Sequence, residues 1–352
     1  MKIHRGPAAR GADSISCRSV RSAVAGLVER LRDRIRRDGP MLFRHWMEAC
    51  LYDADDGFYA RGRHPAGVGK GTHFATSPTL HPFFAHSVAR ELAKGWKDAG
   101  CPAAWEVVEF GAGTGALARD AMWELQRLKV PARWSAIDVR PGPAISGGRW
   151  LAEPPAQYDA VVANEFLDAL PFDVVESHAG RWFELGVGLE GDAFAWARME
   201  ATERVPQAAN PDVEVVEGDR RVRMTATTPW LATLAKAGVL CGVVVDYGGL
   251  GPAHEVRAYH EHLRADPLAD PGSVDLTADV DFEELGQAAA DLGFTLQLET
   301  QERFLMRHGI FDALNRTERD SMKGTSDYLR LRQLLLPTGF GHAFKVAVMS
   351  RP

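Results

Sequence analysis

The chain has 352 residues, 45% of them hydrophobic, and a formal net charge of -6. That length suits one large domain or two smaller ones, and the lack of a basic excess argues against nucleic acid as a partner. The longest apolar run, Val239–Val245, is too short to span a bilayer, so we predict no membrane insertion.

The cysteines and the N-terminus bear on the compartment. Four cysteines are scattered without a CxxC spacing, which indicates reduced thiols in a cytosol-like compartment and no structural zinc site. Residues 1–22 are rich in Arg, Ala and Ser and nearly free of acid, as in a mitochondrial transit peptide. We expect a bacterial cytoplasmic protein, or a mitochondrial-matrix protein if this segment is a transit peptide rather than a frayed end. Nothing in the composition predicts the oligomeric state.

The first hundred residues predict helices around a glycine-rich loop. Leu27, Leu31 and Ile35 recur at the spacing of one helix face, and Gly39 with Pro40 ends that helix. Further helical segments cover 41–53 and 80–99. The loop at 57–78 has no clear period and is either functional or disordered. Its basic, glycine-rich part, Arg61–His73, is either a mobile cover over the site or a solvated loop. We assign residues 1–100 to an N-terminal helical region that packs on the catalytic domain.

From Ala104 onward, apolar strand-like runs alternate with helical stretches, which predicts an α/β domain with a parallel sheet over residues 101–352. Between residues 172 and 200 the period switches to two, with turn signals that mark three short antiparallel strands. We assign 172–236 to an insertion on the substrate side. The candidate strands of the parallel sheet are Trp105–Phe110, Arg133–Asp138, Tyr158–Asn164 and Gly242–Gly248.

The stretch VVEFGAGTGALARD places three glycines between a strand and a helix, the corner where open α/β sheets bind ligands. Gly111, Gly113 and Gly115 permit positive φ and close approach of a ligand to the backbone. As G-x-G-x-x-A, ending at Ala116, the loop would hold a dinucleotide pyrophosphate, a weak match by itself. Glu109, just before the turn, would repel that diphosphate but can accept a hydrogen bond from an ammonium group. We therefore predict S-adenosyl-L-methionine, with a nicotinamide-dependent oxidoreductase as the less favoured alternative.

Polar residues follow the next two strands as well. Asp138 ends the second strand, where a carboxylate binds a ribose diol of either ligand. The third strand runs into Asn164, Glu165 and Asp168, which should emerge at the carboxyl edge of the sheet beside the donor. Asp246 ends another strand and is either a site residue or a carboxylate hydrogen-bonded to loop amides.

Together, VVEFGAGTGALARD, ANEFLDALPFDVV, VVVDYGG, DLTADVDF and TQERFL resemble the MidA-type methyltransferases, and the resemblance extends over roughly residues 40 to 350. That family includes the mitochondrial methyltransferase that assists assembly of respiratory complex I by dimethylating an arginine. The resemblance implies the class I S-adenosylmethionine-dependent methyltransferase fold, a Rossmann-like α/β sheet of seven strands with the last one antiparallel. It also implies donor-binding roles for Glu109, Gly111, Gly113, Gly115 and Asp138, and places Asn164 and Glu165 against the donor and the acceptor entrance.

The chain departs from the family pattern in two places. The family's E-x-S-P after the ribose acid is Asp138, Val139, Arg140 and Pro141 here, which shortens the acid and adds a cation near the adenosine. The connection at residues 247–257 also differs, and this second departure concerns the acceptor more than the donor.

An arginine acceptor requires carboxylates, which localise the guanidinium lone pair by bidentate pairing. If EFLDAL is helical, Glu165 and Asp168 share a face and form an acceptor clamp, with Asn164 beside them. Alternatively Glu165 touches only the donor and Asp168 caps a following helix. We therefore predict a methyltransferase acting on an arginine of a protein partner. The other hypothesis is an assembly factor that binds the donor and has lost turnover.

We predict no metal, because methyl transfer needs no Lewis acid and His260 and His262 lack a third ligand in the sequence. DLTADVDF places Asp275, Thr277 and Asp281 in a loop that enters a helix, with Asp279 or Asp281 as the candidate cap of that helix.

Overall fold

The computed structural model describes residues 13–60, 76–203, 215–261, 263–317, 323–336 and 339–351. The first twelve residues of the predicted presequence and most of the predicted glycine-rich loop lie outside these ranges. The helices are α1 (Asp13–Asp38), α2 (Phe43–Tyr52), α3 (Ser77–Leu80), α4 (Phe83–Asp98), α5 (Ala116–Arg127), α6 (Thr227–Ala237), α7 (Phe282–Asp291), α8 (Gln301–Arg307), α9 (Ile310–Thr317), α10 (Lys323–Leu335) and α11 (Phe340–Ala343).

The strands form three sheets. They are β1 (Met41–Leu42), β2 (Trp105–Phe110), β3 (Ala132–Ile137), β4 (Gly148–Leu151), β5 (Ala160–Asn164), β6 (Asp173–His178), β7 (Arg181–Glu190), β8 (Ala193–Ala201), β9 (Arg220–Arg223), β10 (Cys241–Gly249), β11 (Arg257–His260), β12 (Leu263–Arg264), β13 (Asp275–Thr277), β14 (Val280–Asp281), β15 (Thr295–Thr300) and β16 (Phe344–Ser350).

The central sheet has the strand order β15-β16-β10-β5-β2-β3-β4. Neighbouring pairs from β4 to β10 are parallel, and β16 runs antiparallel to both of its neighbours. These seven strands form the predicted sheet whose last strand is antiparallel, and the two-residue strand β14 adds an eighth by pairing with the end of β10. Strand order reverses between β2 and β5, so the carboxyl ends of these two strands open a crevice for a ligand.

Apolar residues on both faces of the strands explain why helices cover the sheet on both sides. Val161 of β5 is fully buried in one apolar cluster, and its neighbour Val162 is fully buried in another. The same split separates Val107 from Val108 in β2, because successive side chains of a strand point to opposite faces. The crevice therefore lies at the edge of a doubly covered, rigid sheet.

A second, antiparallel sheet contains the predicted insertion strands. β6, β7 and β8 follow each other as hairpins, and β9 pairs with β6. The two-residue strand β1 pairs with β7 through Met41 and Leu42, a contact too short to predict from sequence. The N-terminal segment thus joins the inserted strands by a ladder as well as by helix packing.

The first helix follows its predicted pattern. Leu27, Leu31 and Ile35 of α1 are buried in the core, and the helix ends where Gly39 takes a left-handed conformation at φ 83°. In the described part of the chain, no helix has the length and apolar character needed to cross a membrane.

Candidate active site

The glycine loop joins β2 to α5 at the carboxyl edge of the central sheet. Gly111, Gly113 and Gly115 have φ values of 69°, 52° and 69°, all in the left-handed region. A Cβ on Gly111 would lie 3.1 Å from the ring of Phe166, and one on Gly115 would lie 3.1 Å from the ring of Trp150. A Cβ on Gly113 would meet no atom within 4 Å. Conformation and packing therefore both favour glycine here, and Gly113 leaves the backbone open toward the crevice.

Glu109 lies inside the sheet, one residue before the end of β2. Its side chain is 3% exposed, and its Oε2 accepts a hydrogen bond from Trp134 Nε1 at 2.9 Å. Burial raises the pKa of Glu109 to about 8, with a smaller contribution from the charge of Asp138. Glu109 lines the same cavity as the glycine loop. A cationic ligand group at this wall would stabilise the ionised carboxylate and offset its desolvation.

Asp138 comes directly after β3 and touches the glycine loop. Its Oδ2 accepts a hydrogen bond from the backbone N–H of Gly113 at 2.7 Å. The parallel register of β2 and β3 produces this contact, because Phe110 pairs with Ile137 and both strands end at the same level. The carboxylate therefore lies at the cavity wall, as the sequence predicted for a ribose-binding acid.

The segment after β5 is a turn, so EFLDAL is not the helix on which the shared face of Glu165 and Asp168 was conditional. Glu165 has a φ of 51°, a left-handed value that is unusual for a residue with a side chain. Asp246 Oδ2 explains the turn, because it accepts hydrogen bonds at 2.9–3.2 Å from the backbone N–H groups of Phe166, Leu167 and Asp168. In a helix, backbone carbonyl oxygens would accept hydrogen bonds from these amides; here the carboxylate of Asp246 accepts them instead.

Asp246 lies in β10 and is fully buried. Its other oxygen accepts a hydrogen bond from the backbone N–H of Tyr247 at 2.9 Å. Burial and the charge of Asp168 raise the pKa of Asp246 above its ordinary value, against the effect of its amide hydrogen bonds. Of the two interpretations from sequence, the structure thus favours the carboxylate bound to loop amides.

The turn brings three polar side chains to the cavity. Asn164 Nδ2 donates a hydrogen bond to Glu165 Oε1 at 3.1 Å, and the backbone N–H of Ser77 donates to the same carboxylate. Asn164 Oδ1 is buried and has no hydrogen-bond partner among the described residues. An unpaired buried acceptor is costly, so this atom fits an N–H group of a ligand.

Asp168 faces the cavity rather than capping a helix, because no helix follows the turn before Asp173. Its Oδ2 accepts a hydrogen bond from Thr277 Oγ1 at 2.8 Å. Burial raises the pKa of Asp168 to about 6, although Thr277 and the positive charge of Arg257 lower it. The predicted pair of Glu165 and Asp168 therefore shares one cavity, although through a turn and not through a helix face.

Two site residues were missed by the sequence analysis. Asp275, predicted in a loop, belongs to strand β13 and lines the cavity, and Tyr59 Oη donates a hydrogen bond to its Oδ1 at 2.8 Å. Burial raises the pKa of Asp275 to about 7. The alternation of apolar and polar residues in RAYH and DLT was the available signal, but both runs are too short to identify a strand.

Asp281 is confirmed as the cap of α7, where it accepts from the amides of Glu283 and Glu284.

Together these residues line one cavity of about 1010 Å³. Its donor end carries Glu109, the glycine loop and Asp138, and its other end carries Glu165, Asp168, Asp275, Arg257 and the tyrosines Tyr52, Tyr59, Tyr247 and Tyr259. The volume reaches the upper limit of small-molecule sites, about 300–1,000 Å³. The cavity therefore has room for a nucleoside-sized donor and for a second small group beside it.

Burial and mutual repulsion control the charge of the acidic end. Burial and the charge of Asp168 raise the pKa of Glu165 well above its ordinary value.

Among the described residues, no three His, Cys, Asp or Glu side chains are grouped as metal ligands. His260 Nδ1 lies 2.9 Å from the carbonyl oxygen of Ser273, and His262 falls outside the described residues.

Comparisons with known proteins agree with this geometry. The profile of one protein family, described as "Putative S-adenosyl-L-methionine-dependent methyltransferase", matches residues 87–140 and 145–300, more than half of the chain. The chain is 27% identical over 323 residues to the protein arginine methyltransferase NDUFAF7 homolog, mitochondrial, of Drosophila melanogaster, covering 77% of this chain and 72% of that one. It is 25% identical to human NDUFAF7, a mitochondrial protein arginine methyltransferase, covering 82% and 74% of the two chains.

Two solved structures superpose closely on this chain. A Burkholderia thailandensis protein bound to S-adenosyl-homocysteine superposes with a TM-score of 0.85 at 28% identity, over 95% of this chain and 94% of that one. A native crystal structure of a protein from the same organism gives a TM-score of 0.81 at 26% identity, over 95% and 93% of the two chains. The glycine loop, the strand order and these matches agree: the chain belongs to the MidA-type family of S-adenosyl-L-methionine-dependent methyltransferases.

Proposed function

We propose that this enzyme transfers the methyl group of S-adenosyl-L-methionine to an arginine side chain of a protein. The observation that carries the proposal is the acidic end of the cavity, where Glu165 and Asp168 face the space beyond the glycine loop. Carboxylates at such a wall fit a planar cation with several N–H donors. The names of the relatives, which are protein arginine methyltransferases, support the same choice.

At the donor end, each residue has one task in the proposal. Glu109 accepts a hydrogen bond from the ammonium group of the donor, which stabilises the ionised form of a carboxylate that burial disfavours. Asp138 accepts from the ribose hydroxyls, and the bare backbone at Gly113 allows close approach. The donor supplies a sulfonium-bound methyl group, and the residues around it bind and orient it.

At the acceptor end, the residues orient one guanidinium nitrogen and exclude water. Glu165 and Asp168 pair with the N–H groups that do not react, so the lone pair is localised on the nitrogen aimed at the methyl carbon. Asn164 Oδ1 accepts a hydrogen bond from the guanidinium, which satisfies its unpaired buried oxygen. A nitrogen–carbon bond forms, the carbon–sulfur bond breaks, and one proton leaves the guanidinium for a carboxylate of the cavity and then for water.

The test uses the full chain with donor labelled in its methyl group and a proteome from cells that lack this gene. We expect label in protein, recovered as methylarginine after acid hydrolysis. Label recovered as methyllysine would contradict the arginine assignment. Tight binding of S-adenosyl-homocysteine without labelled product would instead support the assembly factor, and calorimetric binding of NADH without S-adenosyl-homocysteine would contradict the donor site.

A further inference from the structure

The acceptor end of the cavity has a second wall, made by the small sheet of β11, β12 and β13. β11 and β13 are antiparallel, with Arg257 opposite Thr277 and Tyr259 opposite Asp275. Directly paired residues of an antiparallel ladder share a face, and so do residues two apart. All four side chains line the cavity. The sheet therefore presents a continuous polar and aromatic face to the turn that carries Glu165.

Hydrogen bonds from two tyrosines fix this wall relative to that turn. Tyr59 Oη donates to Asp275 Oδ1 at 2.8 Å, and Tyr52 Oη donates to the carbonyl oxygen of Ala169, also at 2.8 Å. The two tyrosine rings lie 5.6 Å apart, centroid to centroid. Tyr59, from the N-terminal segment, thus holds Asp275. Tyr59 also packs on Tyr52, which contacts the turn after β5.

Two observations indicate that this end of the cavity takes a cation with N–H groups. Asn164 is 9% exposed, lines the cavity, and keeps its Oδ1 without a hydrogen-bond partner among the described residues. Arg257 supplies positive charge to the wall, but Asp279 already forms an ion pair with it. Within the ranges that the structure describes, this end of the cavity therefore has more carboxylates than cations, because no further arginine pairs with Glu165, Asp168 or Asp275 there. One added cation would offset part of their negative charge.

We propose that Asp275, held by Tyr59, is a second carboxylate arm of the acceptor site, beside the first arm formed by Glu165 and Asp168, and contacts the same acceptor cation from the wall of β13. The inference rests on the proposed methylation of a cationic side chain, and it adds a catalytic residue from a different part of the chain. Tyr59 acts as a positioning residue, because its hydroxyl reaches Asp275 and stabilises the carboxylate in its ionised form.

The experiment measures binding of two small cations to the full chain loaded with S-adenosyl-homocysteine. N-Ethylguanidine represents the end of an arginine side chain, and n-butylamine represents the end of a lysine. We expect Asp275→Asn to bind both cations at least about 10-fold more weakly than the wild type, while its affinity for S-adenosyl-homocysteine changes less than about 2-fold. Glu255→Gln, which removes a carboxylate that pairs with Arg264 outside the cavity, is the matched control and should bind like the wild type.

The outcomes separate this inference from the proposed function. Tighter binding of n-butylamine than of N-ethylguanidine by the wild type would contradict arginine as acceptor, yet a loss in Asp275→Asn would still support the second arm. Equal affinities of the wild type and Asp275→Asn for both cations would overturn the inference whatever the acceptor is.

A pH series tests the positioning role of Tyr59. Asp168 and Glu165 titrate in the same cavity, so the comparison is between the wild type and Tyr59→Phe under identical conditions. Loss of the hydroxyl should move the pH at which N-ethylguanidine binding is half lost upward, because the ionised Asp275 loses a hydrogen bond. An unchanged midpoint in Tyr59→Phe would show that the tyrosine has only a packing role and would overturn its assignment.

Discussion

Replacing Glu109 with glutamine should make the free protein more stable at alkaline pH and at the same time weaken donor binding. Glutamine is similar in size and can still accept the hydrogen bond from Trp134, so the packing of β2 is retained. The change removes only the ability to ionise. In the wild type, burial raises the pKa of Glu109 to about 8 from an ordinary value of 4.5.

The size of the stability effect follows from the difference between these two pKa values. Below pH 4.5, Glu109 is protonated in both the folded and the unfolded state, so it makes no contribution to the pH dependence of the free energy of unfolding. Between about pH 4.5 and pH 8 the unfolded chain loses the proton while the folded protein keeps it, so the stability falls as the pH rises. Because a tenfold change in an acid dissociation constant corresponds to about 1.36 kcal/mol, the loss reaches roughly 5 kcal/mol. Above about pH 8 the pH dependence through this residue ends.

The assay is urea unfolding of the ligand-free wild type and of Glu109→Gln between about pH 5 and pH 9. We expect the difference in the free energy of unfolding to grow in favour of the variant by roughly 4 kcal/mol over this range, because part of the total effect is already present at about pH 5. In calorimetry between about pH 6 and pH 7.5, wild-type affinity for S-adenosyl-homocysteine should rise with pH, because binding must release the proton of Glu109. The variant should show a flat profile and about 10- to 100-fold weaker binding. Parallel stability profiles with equal affinities would refute the placement of the ammonium group.

Three further changes separate donor binding, chemistry and folding. Glu165→Gln should leave the dissociation constant of S-adenosyl-homocysteine within about 3-fold of wild type and reduce label transfer at least about 100-fold, because a misaligned acceptor loses effective molarity; normal transfer would remove Glu165 from the clamp. Asp138→Ala should weaken donor binding about 10- to 100-fold by removing acceptors for the ribose hydroxyls, measured by calorimetry, and unchanged affinity would reject the ribose assignment. Asp246→Asn should lower the free energy of unfolding by about 2–3 kcal/mol, since its amide nitrogen faces backbone donors; a wild-type urea midpoint would show that the turn after β5 does not depend on it.

The donor half of the site was predictable because its residues come from one βαβ unit. Val107 and Val108 indicate a strand buried on both faces, and Gly111 begins a turn that only a few ligands can use. Parallel strands then bring Asp138 to the same edge, without knowledge of any distant contact. Local sequence patterns therefore contain most of the information for this half.

The other half of the cavity could be predicted only in part: the sequence indicated Glu165 and Asp168 there, but the turn that places them depends on contacts between distant segments. The spacing of Glu165 and Asp168 would put them on one face if EFLDAL were helical, but the carboxylate of Asp246, some eighty residues away along the chain, binds the amides of that segment and holds it as a turn. Asp275 comes to the cavity wall through the pairing of β13 with β11, and Tyr59 donates a hydrogen bond to it there. The domain boundaries and the individual residue roles remain predictions for the experiments above.

The ladder between β1 and β7, together with the hydrogen bond from Tyr59 to Asp275, attaches the N-terminal segment to the second sheet and to the cavity wall. The matched family profile starts only at residue 87, so this part of the entrance precedes it. If Asp275 contacts the acceptor as proposed, substitutions in the N-terminal segment and in the small sheet of β11, β12 and β13 would change the choice of acceptor while the glycine loop stays the same.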